Sequence, residues 1–209
     1  MEQDQFETFV TEEQIIPVVT MRDAEYAVSL AETLLEAGFR TIEITLRTAG
    51  SLQAIQAIAA SDCPIVVGAG SISRVEDIHA AVDAGAEFLV SAGLNPELVD
   101  EARKSSMAYL PGIATPSEIL TGIGMGIDLF KFFPAEALGG TKYLKAISAP
   151  FPAARFVPTG GIRPESLRSY LDMHSVLACG GSWLTPADAL QAGDMDRIKH
   201  LAWHARTLR

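Results

Sequence analysis

Cysteine is scarce in this chain: Cys63 and Cys179 are the only two among 209 residues. Neither belongs to a Cys-x-x-Cys or Cys/His pattern, so no zinc site or disulfide framework is indicated, and both are expected reduced. Cys179 sits in an apolar run and is expected in the core. Histidine is thin as well. His200 and His204 have helical spacing without an acidic helix motif beside them, which reads as a solvated face, and His79 and His174 stand alone; no metal is expected. Basic residues are outnumbered 16 to 26, for a net charge of −10. Nucleic acid and anionic membranes require clustered Lys and Arg, so neither is an expected partner. The acidic residues are spread along helical stretches, as on a solvated surface. No apolar run approaches the ~18 residues of a membrane span. Residues 1–6 lack the basic and apolar regions of a signal peptide, and a soluble, cytoplasmic protein is expected. No Gly-x-Gly-x-x-Gly follows the first strand, which weakens a dinucleotide-binding reading.

What is present is ample apolar material, 48% of residues, with a mean hydropathy of +0.22. β-rich runs at 15–19, 41–45, 64–68, 87–91, 108–112, 129–133, 155–159 and 176–179 alternate with helical stretches at 22–37, 51–60, 74–84, 96–104, 116–125, 140–148, 164–171 and 186–207. Such alternation implies parallel βαβ units. Ala37-Gly38 and Ala84-Gly85 repeat a helix-ending signal. Eight units predict a single-domain (β/α)8 TIM barrel over residues 1–209, with chemistry at the C-terminal ends of the strands and a phosphate site after strands seven and eight.

Lys131 is the most informative residue. It stands alone in Leu129-Phe130-Lys131-Phe132-Phe133, which reads as a strand buried on both faces. Burial disfavours an ammonium, so a lysine there gains neutral, nucleophilic character and becomes a candidate for a Schiff base. A lysine snorkelling to the sheet rim, or paired with a carboxylate, fits the same segment. On strand two, Ile42-Glu43-Ile44-Thr45-Leu46-Arg47 alternates strictly, placing Glu43, Thr45 and Arg47 on one face. In a barrel that face points inward and approaches Lys131; at an edge strand it would simply be wet. Glu43 could serve as general base and acid, and Arg47 could grip a carboxylate bidentately. A structural Glu43–Lys131 ion pair is the other reading.

Two glycine turns, Thr159-Gly160-Gly161 and Gly180-Gly181-Ser182, fall where barrels bind phosphate. Gly68-Ala69-Gly70-Ser71 could bring the Ser71 hydroxyl to a pocket mouth or be a tight turn. A nucleophilic lysine implies a carbonyl carbon, the arginine an adjacent carboxylate, and the glycine loops a phosphate further along. Together they imply a 2-oxo acid with a distal phosphate.

With these residues in place the chain resembles the 2-keto-3-deoxy-6-phosphogluconate aldolases, which often also act as 4-hydroxy-2-oxoglutarate aldolases. The likeness runs through Glu43-Ile-Thr-Leu-Arg47-Thr48, Gly68-Ala-Gly70, Phe130-Lys131-Phe-Phe-Pro-Ala-Glu136, Pro158-Thr159-Gly-Gly161 and Gly180-Gly-Ser182-Trp183. It implies a homotrimeric class I aldolase of the Entner–Doudoroff pathway that needs neither metal nor cofactor. Carried over, Lys131 forms the imine with the substrate C2 carbonyl and Glu43 shuttles protons through a water. Arg47 and Ser71 bind the carboxylate end, and Thr159, Gly160, Gly161, Gly180, Gly181 and Ser182 hold the distal hydroxyls and phosphate. The products would be pyruvate and glyceraldehyde 3-phosphate. The chain departs from the family pattern at Ser71, usually threonine, and at Ala92, usually proline. A galactonate-series aldolase, a phosphosugar isomerase or epimerase on the same barrel, and a non-catalytic phosphometabolite-binding protein are the alternatives.

Overall fold

The computed structural model describes residues 1–208. The chain opens with α1 (Gln3–Glu13), β1 (Ile15–Val19), α2 (Ala27–Glu36), β2 (Thr41–Thr45), α3 (Ser51–Ala59), β3 (Val66–Ile72) and α4 (Val75–Asp83). It continues with β4 (Phe88–Ser91), α5 (Pro96–Lys104), β5 (Ala108–Leu110), β6 (Gly112–Ile113), α6 (Pro116–Gly124), β7 (Leu129–Phe132) and α7 (Gly140–Ser148). The last elements are β8 (Arg155–Pro158), α8 (Pro164–Leu171), β9 (Cys179–Gly181), α9 (Ala187–Ala192) and α10 (Met195–Thr207). This is an α/β fold in which every strand pairing is parallel. A six-stranded sheet runs β5-β4-β3-β2-β1-β9, and a three-stranded sheet runs β6-β7-β8. Two isolated bridges, Phe156↔Val176 and Thr159↔Gly180, join β8 to the segment that ends in β9.

The expected strand at 108–112 is two short strands because Pro111 has no N–H for a ladder. The Pro111 carbonyl still accepts from the Lys131 amide at 2.8 Å, tying the break to β7. The glycine-ended helices are as expected. Gly38 and Gly85 have φ of 88° and 90°, and their amides bond Leu35 and Val82 carbonyls at 2.9 Å. The terminal stretch expected as one helix is α9 and α10, separated at Gly193, whose φ of 64° ends α9.

Alternation along the strands sorts the apolar side chains into two clusters. Ile15, Ile42, Ile44, Val67, Leu89 and Phe130 pack outward beneath the helices. Ile16, Val90, Leu110, Leu129, Val157 and Ala178 face the concave side. The concave cluster is completed by α1, which the sequence reading did not anticipate. Phe6 and Val10, one helical turn apart, are fully buried there, and the Phe6 ring lies 4.9 Å from that of Phe88. Burying two such side chains contributes roughly 1.5–3 kcal/mol each. Helix α1 sits at the entry ends of the strands, since the Ala108 amide donates to the Met1 carbonyl and that of Tyr109 to Gln3 Oε1, both at 2.9 Å. The interior at that end is filled by Phe6 and Val10, and the cavity lined by Lys131 opens at the other, where the strands finish. No helix among the described residues is long and apolar enough to cross a membrane.

The last residue of α1, Glu13, is buried and accepts from Arg40 Nε and Arg206 Nη2, each at 2.6 Å. Burial alone would raise its carboxyl pKa, but the bonds from Arg40, then Arg206, outweigh burial and hold it below the ordinary value. A folded-state pKa below the unfolded one means the stabilisation is complete above the unfolded value of about 4.3 and disappears as pH falls through the lower folded value. Glu13→Gln should therefore lose about 2–3 kcal/mol at pH 7 and converge on the parent protein toward pH 3. Urea melts across that range test this; parallel stability curves would contradict it.

Candidate active site

Ile42 and Ile44 pack outward, so Glu43 and Thr45 face inward, as the alternation of β2 predicts. On β7 the same alternation turns Lys131 inward above Leu129. Lys131 Nζ lies 3.3 Å from Glu43 Oε1, with only 6% and 3% of the two side chains exposed. The ammonium also stands 5.6 Å from the centroid of the Phe133 ring, within cation–π range. Space for the Glu43 carboxylate comes from β3. Gly70 pairs in register with Thr45, and a Cβ at Gly70 would lie 2.1 Å from Glu43 Oε1. One pleat below, a Cβ at Gly68 would strike the Phe88 ring at 2.2 Å.

Strand β3 runs on through Gly70 and Ser71, so the segment is not the tight turn that is one of its two readings, and its register with β4 shifts between Ala69 and Ile72. Within that irregularity Ser71 has φ 63°, an uncommon left-handed conformation for a residue with a side chain. Bulges of this kind re-aim side chains. The Ser71 hydroxyl accepts from Arg47 Nε at 2.8 Å. Arg47 itself departs from expectation: β2 ends at Thr45, so Arg47 is an exposed residue at the rim and not an inward one. Its terminal nitrogens have no protein partner among the described residues, leaving a fork for a carboxylate.

A cavity of about 110 Å3 opens at the strand ends. Arg47, Lys131, Thr159, Gly160, Gly161, Gly180 and Ser182 line it. Gly160 and Gly161 have φ of 102° and 81°, a backbone turn that side chains disfavour. Gly180 lets strand β9 approach Thr159, whose Oγ1 would lie 2.3 Å from an added Cβ. Gly181 is not part of the lining; it makes room for the Trp183 ring, 2.2 Å from where its Cβ would be. Gly180 and Gly181 belong to β9, not to a turn after it. Phe133, inward like Lys131 by strand alternation, also lines the cavity, as do Val18 and Ile162, which no motif marks. Period-two counting from Ile16 would have found Val18. Among the described residues no cluster of three or more His, Cys, Asp or Glu could hold a metal ion. His79, expected alone, bonds Glu101 Oε1 at 2.8 Å on the surface.

The geometry matches known enzymes. The KDPG and KHG aldolase family model matches residues 6–201. A KHG/KDPG aldolase of Escherichia coli (strain K12) is 46% identical over 199 residues, 95% of this chain and 93% of that protein. The crystal structure of the 2-keto-3-deoxy-6-phosphogluconate aldolase of Zymomonas mobilis ZM4 with 3-phosphoglycerate superposes with a TM-score of 0.92 at 37% identity, covering 99% of this chain and 97% of that one. A KDPG aldolase from Legionella pneumophila with pyruvate captured at low pH as a covalent carbinolamine intermediate gives 0.90 at 37% identity, covering 94% and 96%.

The tight seat of Glu43 makes a separate prediction about stability. Gly70→Ala should cost about 2–3 kcal/mol in urea unfolding, because the new methyl and the buried carboxylate compete for one space. Gly93→Ala, with nothing within 4 Å of the added Cβ, should stay within about 0.5 kcal/mol of the parent. Equal effects at the two sites would contradict the packing described.

Proposed function

This chain belongs to the KDPG and KHG aldolase family, and from that premise we propose how its residues carry out the reaction. The protein is a class I aldolase, a carbon–carbon lyase acting through a Schiff base. It cleaves 2-keto-3-deoxy-6-phosphogluconate to pyruvate and glyceraldehyde 3-phosphate. The single observation that carries the assignment of roles is the buried Lys131–Glu43 pair at 3.3 Å.

Glu43 accepts a proton from Lys131, and the neutral Nζ attacks the C2 carbonyl to give a carbinolamine. Glu43, acting through a water, returns a proton as hydroxide character leaves C2 as water, and a protonated imine forms. Glu43 then takes the proton from the C4 hydroxyl. The C3–C4 bond breaks, its electron pair moves to C3 as an enamine conjugated to the Lys131 nitrogen, and C4 becomes the aldehyde of glyceraldehyde 3-phosphate. Proton return to C3 and hydrolysis of the imine release pyruvate and restore the lysine. No external oxidant or reductant is involved. Arg47, aimed by Ser71, holds the C1 carboxylate. Thr159, the Gly160-Gly161 turn, Gly180 and Ser182 receive the distal hydroxyls and phosphate, with backbone amides facing the anion near the start of α8. Gly181 enters only by shaping β9.

The proposal includes a single domain in which the two sheets form one closed (β/α)8 barrel. β5 and β6 then count as one strand interrupted at Pro111, and the bridges between β8 and β9 support closure. It also includes a cytoplasmic homotrimer. Exposed Leu120 and Ile123 on α6 offer apolar surface for such an assembly.

Pyruvate with borohydride should leave a reduced three-carbon adduct on Lys131, located by peptide mass mapping; an unmodified Lys131 refutes the mechanism. Lys131→Arg should lose at least a thousandfold in kcat, whereas an isomerase needing only positive charge would keep some activity. Rates on both phosphorylated epimers and on 4-hydroxy-2-oxoglutarate should be highest for the gluconate epimer. Faster cleavage of the galactonate epimer would reassign the substrate.

A further inference from the structure

Behind the Gly160-Gly161 turn lies a second polar pair with no place in the chemistry above. Tyr170 of α8 is fully buried, and its hydroxyl donates to Glu136 Oε1 at 2.7 Å. Glu136 follows β7 in the segment beyond Lys131, and its backbone continues the strand pairing past the sheet. The Ala135 amide donates to the Thr159 carbonyl at 2.9 Å, and the Glu136 amide to the Gly160 carbonyl at 3.0 Å. The Glu136 side chain then leans on the turn itself, since a Cβ at Gly161 would lie 2.8 Å from the Glu136 Cβ. Gly140 closes the far side, where an added Cβ would meet the Tyr170 hydroxyl at 3.3 Å and the Glu136 carboxylate at 3.7 Å.

A carboxylate beside a turn that receives a phosphate is electrostatically adverse unless its direction is controlled. Tyr170 supplies that control. Its ring is fixed in the core, and burial, with the Glu136 bond second, pushes its phenol above the ordinary value, so the hydroxyl remains a donor at working pH. The Glu136 stem can thus buttress the turn while its charge is held back toward α8.

We propose that Tyr170 and Glu136 are positioning residues for the distal phosphate, setting the preference for phosphorylated over unphosphorylated 2-oxo acids through the Gly160-Gly161 turn. This rests on the reading of that turn as a phosphate site. Neither residue touches the reacting carbons, so the effect belongs in KM for the phosphorylated substrate.

The test measures kcat and KM for 2-keto-3-deoxy-6-phosphogluconate and for 4-hydroxy-2-oxoglutarate, which has no phosphate. Tyr170→Phe keeps the ring, and Glu136→Ala removes the exposed acceptor. Each should raise KM for the phosphorylated substrate about five- to tenfold, with kcat within about twofold and kcat/KM for the unphosphorylated one nearly unchanged. Glu136→Gln still accepts from Tyr170 and should keep the parent KM. Equal losses on both substrates, an unchanged KM in Tyr170→Phe, or a Glu136→Gln enzyme resembling Glu136→Ala overturns the proposal and leaves the glycine-turn reading standing. A parent enzyme that handles both substrates equally well overturns that reading and the proposal with it.

Discussion

The buried Lys131–Glu43 contact is the constraint around which the rest of the molecule is arranged. Taking an ammonium and a carboxylate out of water costs several kcal/mol per ion, and their attraction offsets this only at short range with good geometry. The fold meets that condition from two strands far apart in sequence. β7 is apolar on either side of Lys131, and β2 supplies Glu43 at 3.3 Å from its Nζ. A side chain at Gly70 on β3 would collide with the carboxylate, since its Cβ would lie 2.1 Å from Glu43 Oε1. Three strands therefore share one requirement, and a change in any of them is felt as an uncompensated charge. A pair held for stability alone would be poorly chosen, since apolar replacements are often as stable. Its place beside an open cavity fits the chemical use proposed for it.

Closure of one end follows from the same requirement. If water reached the concave interior from both ends, neither charge would be desolvated. Helix α1 seals the entry side with Phe6 and Val10, and its Glu13 is locked to Arg40 and Arg206. The cavity beside the pair is lined by Arg47 and the glycine turns. Helix α1 is absent from the lining of the Lys131 cavity, yet it closes the opposite end of the interior.

Much of this was legible in the sequence because it rests on period-two alternation. β2 announces its polar inward face, and a lysine inside an aromatic run has few explanations. What was not legible has identifiable causes. Helix α1 is largely polar, and its two anchors, Phe6 and Val10, are too few to separate it from an ordinary surface segment. Strand ends were misplaced where glycine carries the ladder: Gly70 and Gly180-Gly181 suggest turns, but small residues are there because Glu43, Thr159 and Trp183 need the volume. Alternation carried past Thr45 puts Arg47 on the inward face, but the strand stops first. His79 looked solitary because its partner, Glu101, lies on the next helix, a contact that no local pattern records.

Ser71 shows how a departure from the family pattern can be compatible with function. The residue sits at φ 63° in the irregular stretch of β3, a conformation costing roughly 1 kcal/mol or more for a side-chain-bearing residue and more for a β-branched one. Serine satisfies the position with less crowding than threonine while keeping the hydroxyl that orients Arg47. What it gives up is a methyl group, a packing contact and not a hydrogen bond. The Arg47–Ser71 contact, proposed for the carboxylate, therefore depends on backbone geometry in β3 more than on the bulk of the side chain. The glycine turns proposed for the phosphate follow the same logic, because glycines contribute space and backbone direction. In both halves the specific chemistry rests on a few side chains, and the sheet determines where they point.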